Sequence, residues 1–108
     1  MKVLEQRNHE GKTAFLLATE LNHSEIAKEL AEKYPKLNLF ARDTKNGDTA
    51  LHMACRNRDL NLVQHLFEVD PDKCLYQNYY GQTPVYLATK AEDMRILELF
   101  AEYKWRAL

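Results

Sequence analysis

The chain is poor in the residue types and charge patterns that mark several classes of protein. Its 108 residues include only two cysteines, Cys55 and Cys74, whereas a secreted scaffold of this size that depends on disulfides normally has more. We therefore expect reduced thiols and an intracellular protein, in the cytoplasm or, as the alternative, in the nucleus. Fifteen Lys and Arg face sixteen Asp and Glu, so no positive excess predicts binding to nucleic acid or to anionic lipid.

Long hydrophobic runs are also missing. The longest uninterrupted one is the pentapeptide 14–18, far short of the ~20 residues that a membrane-spanning helix needs. The first ten residues lack the apolar segment and the small-residue cleavage site of a secretion signal. The hydrophobic content of 45% is nevertheless enough for a core, and the length fits one folding unit. The sequence predicts one globular domain that does not insert into membranes.

Glycine is scarce, and its three copies all occupy one repeated position. The segments 11–18, 47–54 and 81–88 align without a gap, each beginning with a glycine and carrying a threonine two residues later. Their starts lie 36 and 34 residues apart, which is a period typical of helical repeat proteins. A polar stretch with turn chemistry precedes each glycine. The chain is therefore predicted to consist of three repeats, each opening with a turn.

Two helices are predicted in each repeat. The threonine can cap the first helix, and Pro84 suits a first helical position because its missing N–H is not needed there. Apolar residues four apart then define one face of a second helix: Ile26 and Leu30, Leu62 and Leu66, Ile96 and Phe100. We place the repeats at 8–43, 44–77 and 78–108. Residues 1–7 are expected to be the tail of a preceding repeat or an N-terminal extension.

The repeated segments resemble the core of the ankyrin repeat, Gly-x-Thr-Pro-Leu-His-x-Ala. Residues 47–54 depart from this core only at Ala50, and the third repeat has Val85 and Tyr86 where Leu and His are usual. The resemblance covers roughly residues 8–108. It implies an all-α solenoid with β-turn fingers, built from three stacked ankyrin-like helix-turn-helix repeats. The tetratricopeptide repeat has a similar period but lacks the glycine finger before a threonine-capped helix.

The resemblance also implies structural roles. His52 is expected to bond to the backbone near a finger, and Tyr86, at the same position in the third repeat, is expected to be internal. Arg58 and Glu92 stand where the family has glycine between the helices, so of these loops only the one with Asn22 has a residue that readily adopts left-handed backbone. The predicted structural residues are Gly11, Gly47, Gly81, Thr13, Thr49, Thr83, His52 and Pro84.

The two ends of the array carry apolar residues where a capped solenoid has polar faces. We expect these ends to dock onto further repeats or to self-associate, unless the last residues fold back as a cap. The residues concerned are Phe15, Leu16 and Leu17 in the first repeat, and Phe100, Tyr103, Trp105 and Leu108 in the last.

No residue pattern predicts an enzyme, a cofactor site or a metal site. Catalysis needs a nucleophile, a base and an orienting group within reach, and isolated glycines do not form a phosphate-binding loop. His52 and Cys55 lie three residues apart on a helix, but the other Cys and His residues do not supply the spacing of a four-ligand zinc site. A non-catalytic protein without cofactors is therefore expected.

The resemblance implies that a partner protein or peptide is bound through the fingertips and the concave face of the first helices. Tyr79, Tyr80 and Arg56 are the expected anchors, because aromatic and Arg side chains carry most interface energy. A structural segment of a longer array, in a scaffold, channel or signalling protein, is the main alternative. A small inhibitor or effector from a pathogen that imitates a host ankyrin surface is another. The predicted binding residues are His9, Glu10, Lys12, Glu20, Lys45, Asn46, Asp48, Arg56, Asn57, Tyr79, Tyr80, Gln82 and Lys90.

Overall fold

The computed structural model describes residues 2–107 of the chain, with side chains described from 3 to 102. Over residues 2–107 the regular structure is helical and contains no β-strand. The elements are α1 (Lys2–Glu5), α2 (Ala14–Glu20), α3 (Ser24–Lys33), α4 (Ala50–Arg56), α5 (Leu60–Val69), a 3₁₀ helix (Pro71–Leu75), α6 (Pro84–Lys90) and α7 (Met94–Ala107). The predicted all-α solenoid of three helix pairs is confirmed.

The helices form two layers. The first helices of the repeats, α2, α4 and α6, pack side by side in chain order, and the second helices, α3, α5 and α7, do the same. Within each repeat the first helix packs on the second. Stacking buries apolar side chains between repeats, which a single pair of helices could not achieve alone.

A threonine stands immediately before each first helix and caps it. The hydroxyl oxygens of Thr13, Thr49 and Thr83 accept the backbone N–H three residues ahead, which satisfies a donor that the helix itself leaves without a partner. Pro84 is the first residue of α6. The second helices α5 and α7 are preceded by aspartates, and the Asp59 side chain accepts the N–H of Leu62 at 3.3 Å. Local sequence therefore sets where these helices start.

The loops between paired helices share a left-handed residue. Asn22 has φ +63°, as the sequence leads one to expect. Arg58 at +61° and Glu92 at +59° adopt the same conformation although neither is glycine or asparagine. Bonds within each loop hold this conformation, because the N–H after the left-handed residue donates to the alanine carbonyl five residues earlier, at 2.8–3.2 Å. The strain on Arg58 and Glu92 is therefore local to their loops.

The apolar ends differ from the prediction. Phe15, Leu16 and Phe100 were expected on end faces, but all three are buried in the core. Phe15 and Leu16 belong to α2, which packs against α4 of repeat 2, and Phe100 packs against Phe67 with ring centroids 5.0 Å apart. Leu17 does lie exposed at 38%. The side chains of Tyr103 and Trp105, and the whole of Leu108, lie outside the described residues.

Candidate functional site

A finger precedes each first helix: finger 1 (8–12), finger 2 (43–48) and finger 3 (78–82). The side chain of the first residue closes each turn. In finger 3, Asn78 Oδ1 accepts the backbone N–H groups of Tyr80 and Gln82, both at 2.9 Å. Asn8 and Asp43 make the equivalent pairs of bonds in the other two fingers. Each finger is therefore held rigid by its own polar side chain.

Finger 3 rests on finger 2. The Tyr79 ring lies so close to Gly47 that a Cβ there would be 2.5 Å from it, and Gly47 has φ +70°. Tyr79 N donates to Asn46 O at 2.9 Å, and the Tyr80 hydroxyl donates to Asn46 Oδ1 at 3.3 Å. Both tyrosine side chains remain largely exposed, at 64% and 69%. The tip of finger 3 therefore presents two aromatic rings whose backbone is fixed.

Two arginines tie successive fingers together. Arg7 Nη1 donates to the carbonyls of Gly11 and Arg42, both at 2.6 Å. Arg42 Nη1 repeats the pattern one repeat further on, to Gly47 O at 3.0 Å and Gln77 O at 2.6 Å. Sequence reasoning missed this pair, although a spacing of 35 residues between two arginines just before the fingers is a signal that could have found it.

His52 links repeats 2 and 3. Its Nδ1 accepts the backbone N–H of Thr49 at 3.1 Å, which places the proton on Nε2, and Nε2 donates to Gln82 O at 3.0 Å. Burial is the largest effect on this imidazole and lowers its pKa, so the neutral form is favoured. At the same position in repeat 3, Tyr86 is 48% exposed. The expectation that Tyr86 is internal is wrong, because no described repeat covers that side of α6.

Lys12 was predicted at a fingertip but is buried. Its Nζ lies 3.0 Å from Glu10 Oε1, 3.5 Å from Glu20 Oε2 and 3.9 Å from Asp43 Oδ2. Burial alone lowers the pKa of Lys12, but the hydrogen bond with Glu10 and the surrounding carboxylates outweigh it and raise the pKa overall. The bond from Lys12 in turn lowers the pKa of Glu10. Lys12 is therefore a buried cation that joins finger 1 to finger 2.

Asp48 is buried as well, against the prediction that it faces a partner. Its Oδ1 accepts from Asn78 Nδ2 at 2.9 Å and its Oδ2 accepts from Arg56 Nη1 at 3.2 Å. Asn57 has a similar role, because its Nδ2 donates to Thr19 O at 2.9 Å across the boundary between repeats 1 and 2. Asp48 and Asn57 therefore connect neighbouring repeats.

The remaining predicted residues lie exposed or half-buried near the fingers and the last turns of the first helices. Asn46 and Gln82 are half-buried. We call the exposed ones the finger face: His9, Glu10, Glu20, Lys45, Arg56, Tyr79, Tyr80 and Lys90. Within the described residues, no three His, Cys, Asp or Glu side chains converge on a point that could hold a metal ion. The finger face therefore offers charged and aromatic surface.

The family to which this architecture belongs follows from comparison with known proteins. The family description "Ankyrin repeats (3 copies)" matches residues 2–76 and 37–107. The chain belongs to the ankyrin repeat family. Members of this family are generally non-catalytic and serve as protein-interaction modules. Among residues 2–107, every helix of this ankyrin array is too short or too polar to span a lipid bilayer.

Several curated proteins are similar to this ankyrin array. An ankyrin repeat protein of fowlpox virus is 32% identical over 98 residues, which cover 89% of this chain. The glycerophosphocholine phosphodiesterase of Candida albicans is 33% identical over 89 residues, and the fem-1 homolog A-like protein of Mus musculus is 30% identical over 95 residues, covering 82% and 88% of this chain. The chain spans only 21%, 8% and 14%, respectively, of the length of these relatives.

Proposed function

We propose that the finger face binds a partner protein or peptide and that this chain is a non-catalytic protein-interaction module. The observation that carries the proposal is the pair of exposed tyrosines at the tip of finger 3. Large aromatic side chains favour burial, and a rigid exposed pair is the kind of anchor that dominates interface energy. The backbone bond from Tyr79 to Asn46 reduces the entropy lost on binding, because the anchor is already ordered.

The charged residues of the finger face support the same function. Glu20, Arg56 and Lys90 are the last residues of α2, α4 and α6, so stacking of the helices brings them into a row beside the fingers. A row of acidic and basic side chains next to aromatic anchors can fix the orientation in which a partner of complementary charge binds. The phosphodiesterase among the relatives does not extend this proposal to catalysis, since the chain spans only 8% of that protein.

A second candidate function is a structural one, as a segment of a longer array. Ile26 on α3 is 54% exposed, whereas its counterparts Leu62 and Ile96 are fully buried, on helices that pack against the second helix of the preceding repeat. A further repeat, or a second copy of the chain, would cover this apolar face. Analytical ultracentrifugation at rising protein concentration tests whether a second copy covers this face. If it does, the wild type should form oligomers, and Ile26→Glu should be monomeric.

Site-specific crosslinking tests the binding function. We would place the photoreactive residue benzoylphenylalanine at Tyr80 and, as a matched control, at Tyr34, an exposed tyrosine at the end of α3. We expect defined crosslinked proteins in cell extract from position 80 only. Excess unlabelled wild type should compete them away, and excess Tyr79→Ala/Tyr80→Ala should not. Identical products from both positions, or competition by the double variant, would contradict the finger face as the binding surface.

A further inference from the structure

A shallow pocket lies between the last turns of α4 and α6. Its lining is two cationic side chains, one amide and two apolar groups, with no acidic residue among them: Arg56, Lys90, Gln82, Leu87 and Ala91. Arg56 and Lys90 belong to the finger face, and Gln82 lies in finger 3. The composition of the pocket predicts attraction for an anion.

Comparison between repeats shows which group this pocket lacks. The residue after each finger glycine pairs with the last residue of the first helix: Lys12 with Glu20 at 3.5 Å in repeat 1, and Asp48 with Arg56 at 3.2 Å in repeat 2. In repeat 3 the equivalent residues are Gln82 and Lys90, a neutral amide and an ammonium. Among residues 3–102, no carboxylate oxygen lies within 4.0 Å of the Lys90 Nζ, so the third pair lacks its anion.

The polar groups that line the pocket have donors available for an anion. Asp48, which is buried, binds Nη1 of Arg56 and so orients the guanidinium, whose other N–H groups remain as donors. Gln82 Oε1 accepts from Asn78 Nδ2 at 3.0 Å, which leaves its Nε2 end to donate. The Lys90 ammonium lies 6.0 Å from the centroid of the exposed Tyr86 ring. A carboxylate entering here would therefore meet the Lys90 ammonium, the Arg56 guanidinium beside its partner Asp48, and the Gln82 side chain.

We propose that this pocket binds the carboxylate of an Asp or Glu side chain in the partner, in the place of the acidic residue that repeat 3 lacks. The inference rests on the proposed function of the finger face. A peptide is favoured over nucleic acid, because a polyanion along the finger face would also meet Glu10 and Glu20 at repeat 1. The partner is thereby oriented, with its acidic residue at repeat 3.

Selection from a phage-displayed library of random 16-residue peptides tests the inference, with the whole chain as bait. Gln82→Glu is the sharpest variant: it keeps the Oε1 acceptor for Asn78 and supplies Lys90 with an internal carboxylate, as in repeat 2. Lys90→Glu reverses the charge of the pocket. Lys33→Glu is the matched control, because Lys33 is also an exposed lysine at the last position of a helix. Circular dichroism confirms that each variant is folded.

We expect wild-type selections to enrich peptides with Asp or Glu at one fixed position. Synthetic peptides from that set should bind about fivefold more weakly to Gln82→Glu and about tenfold more weakly to Lys90→Glu, with no change for Lys33→Glu. Selection on Lys90→Glu should favour Lys or Arg at the same position. The differences should shrink in high salt.

Other outcomes separate this inference from the function on which it rests. Peptides that need Tyr79 and Tyr80 but show no acidic position, or that bind Gln82→Glu as tightly as wild type, would overturn the carboxylate site and leave the finger face standing. Failure of the wild type to enrich any peptide would count against both. Binding of a single-stranded oligonucleotide that depends on Lys90, without any acidic peptide, would assign the pocket to phosphate instead.

Discussion

Repeats 1 and 3 carry isoleucine at the same position, yet the two side chains have different surroundings. Ile96 on α7 is fully buried, because α5 of the preceding repeat packs against this helix. Ile26 on α3 is 54% exposed, since no described repeat precedes it. His52 and Tyr86, which occupy equivalent positions in repeats 2 and 3, differ in the same way: His52 is buried under repeat 3, and Tyr86 is exposed. In this fold the neighbouring repeat determines what an identical sequence position does.

Truncation of the two isoleucines should give the largest difference. Ile96→Ala is expected to lower the free energy of unfolding by about 3 kcal/mol, because it leaves a cavity in a packed core. Ile26→Ala should lower it by less than about 1 kcal/mol, because half of the side chain already meets water. Urea unfolding followed by circular dichroism measures both. Equal losses would mean that the α3 face is covered in solution, by another copy of the chain.

Two finger glycines with similar left-handed φ angles allow a second comparison, between finger 2 and finger 3. Gly47 and Gly81 both have left-handed φ, but a Cβ at Gly47 would strike the Tyr79 ring, whereas a Cβ at Gly81 would have no atom within 4 Å. Gly47→Ala should therefore lower the free energy of unfolding by about 2–3 kcal/mol and Gly81→Ala by about 1 kcal/mol, the strain of the backbone alone.

The Gly47 variant also has a functional readout. Displacement of the Tyr79 ring should weaken crosslinking from position 80, and Gly81→Ala should leave it unchanged. If both variants lost the same stability and kept the same crosslinks, finger 3 would not rest on finger 2 in the way described.

The buried His52 makes the stability of repeat 2 depend on pH. Burial lowers the pKa of His52, so below about pH 6.5 the unfolded chain takes up a proton that the folded protein resists. The contribution of His52 to stability is therefore complete above that pH and declines as pH falls toward the lowered pKa. We expect this part of the pH dependence to vanish in His52→Gln, which keeps a side-chain acceptor for Thr49 N. A variant with the wild-type profile would show that His52 is not the titrating group.

The sequence was informative where structure is set within a few residues. The threonine caps and the first position of Pro84 depend on neighbours along the chain, and their patterns could be read directly. Burial of Lys12 and Asp48 could not be predicted, because their partners Asp43 and Asn78 lie in the next finger, 30 or more residues away along the chain. Both residues look like exposed fingertip charges until the repeats are stacked. Placing these two side chains therefore required the contacts between fingers.

Glycine substitution at the loops between paired helices should give the smallest change, and it separates local from neighbour effects. Glu92 has φ +59° and Asn22 has φ +63°, but asparagine tolerates this conformation better. Glu92→Gly should therefore raise the free energy of unfolding by about 0.5–1 kcal/mol, and Asn22→Gly by less, since part of each benefit is offset by the freedom of glycine in the unfolded chain. Thermal and urea unfolding measure the difference. Because this strain arises within one loop, it should not depend on which repeat lies alongside. A loss of stability in Glu92→Gly would show that the Glu92 side chain contributes more to the third repeat than its backbone strain removes.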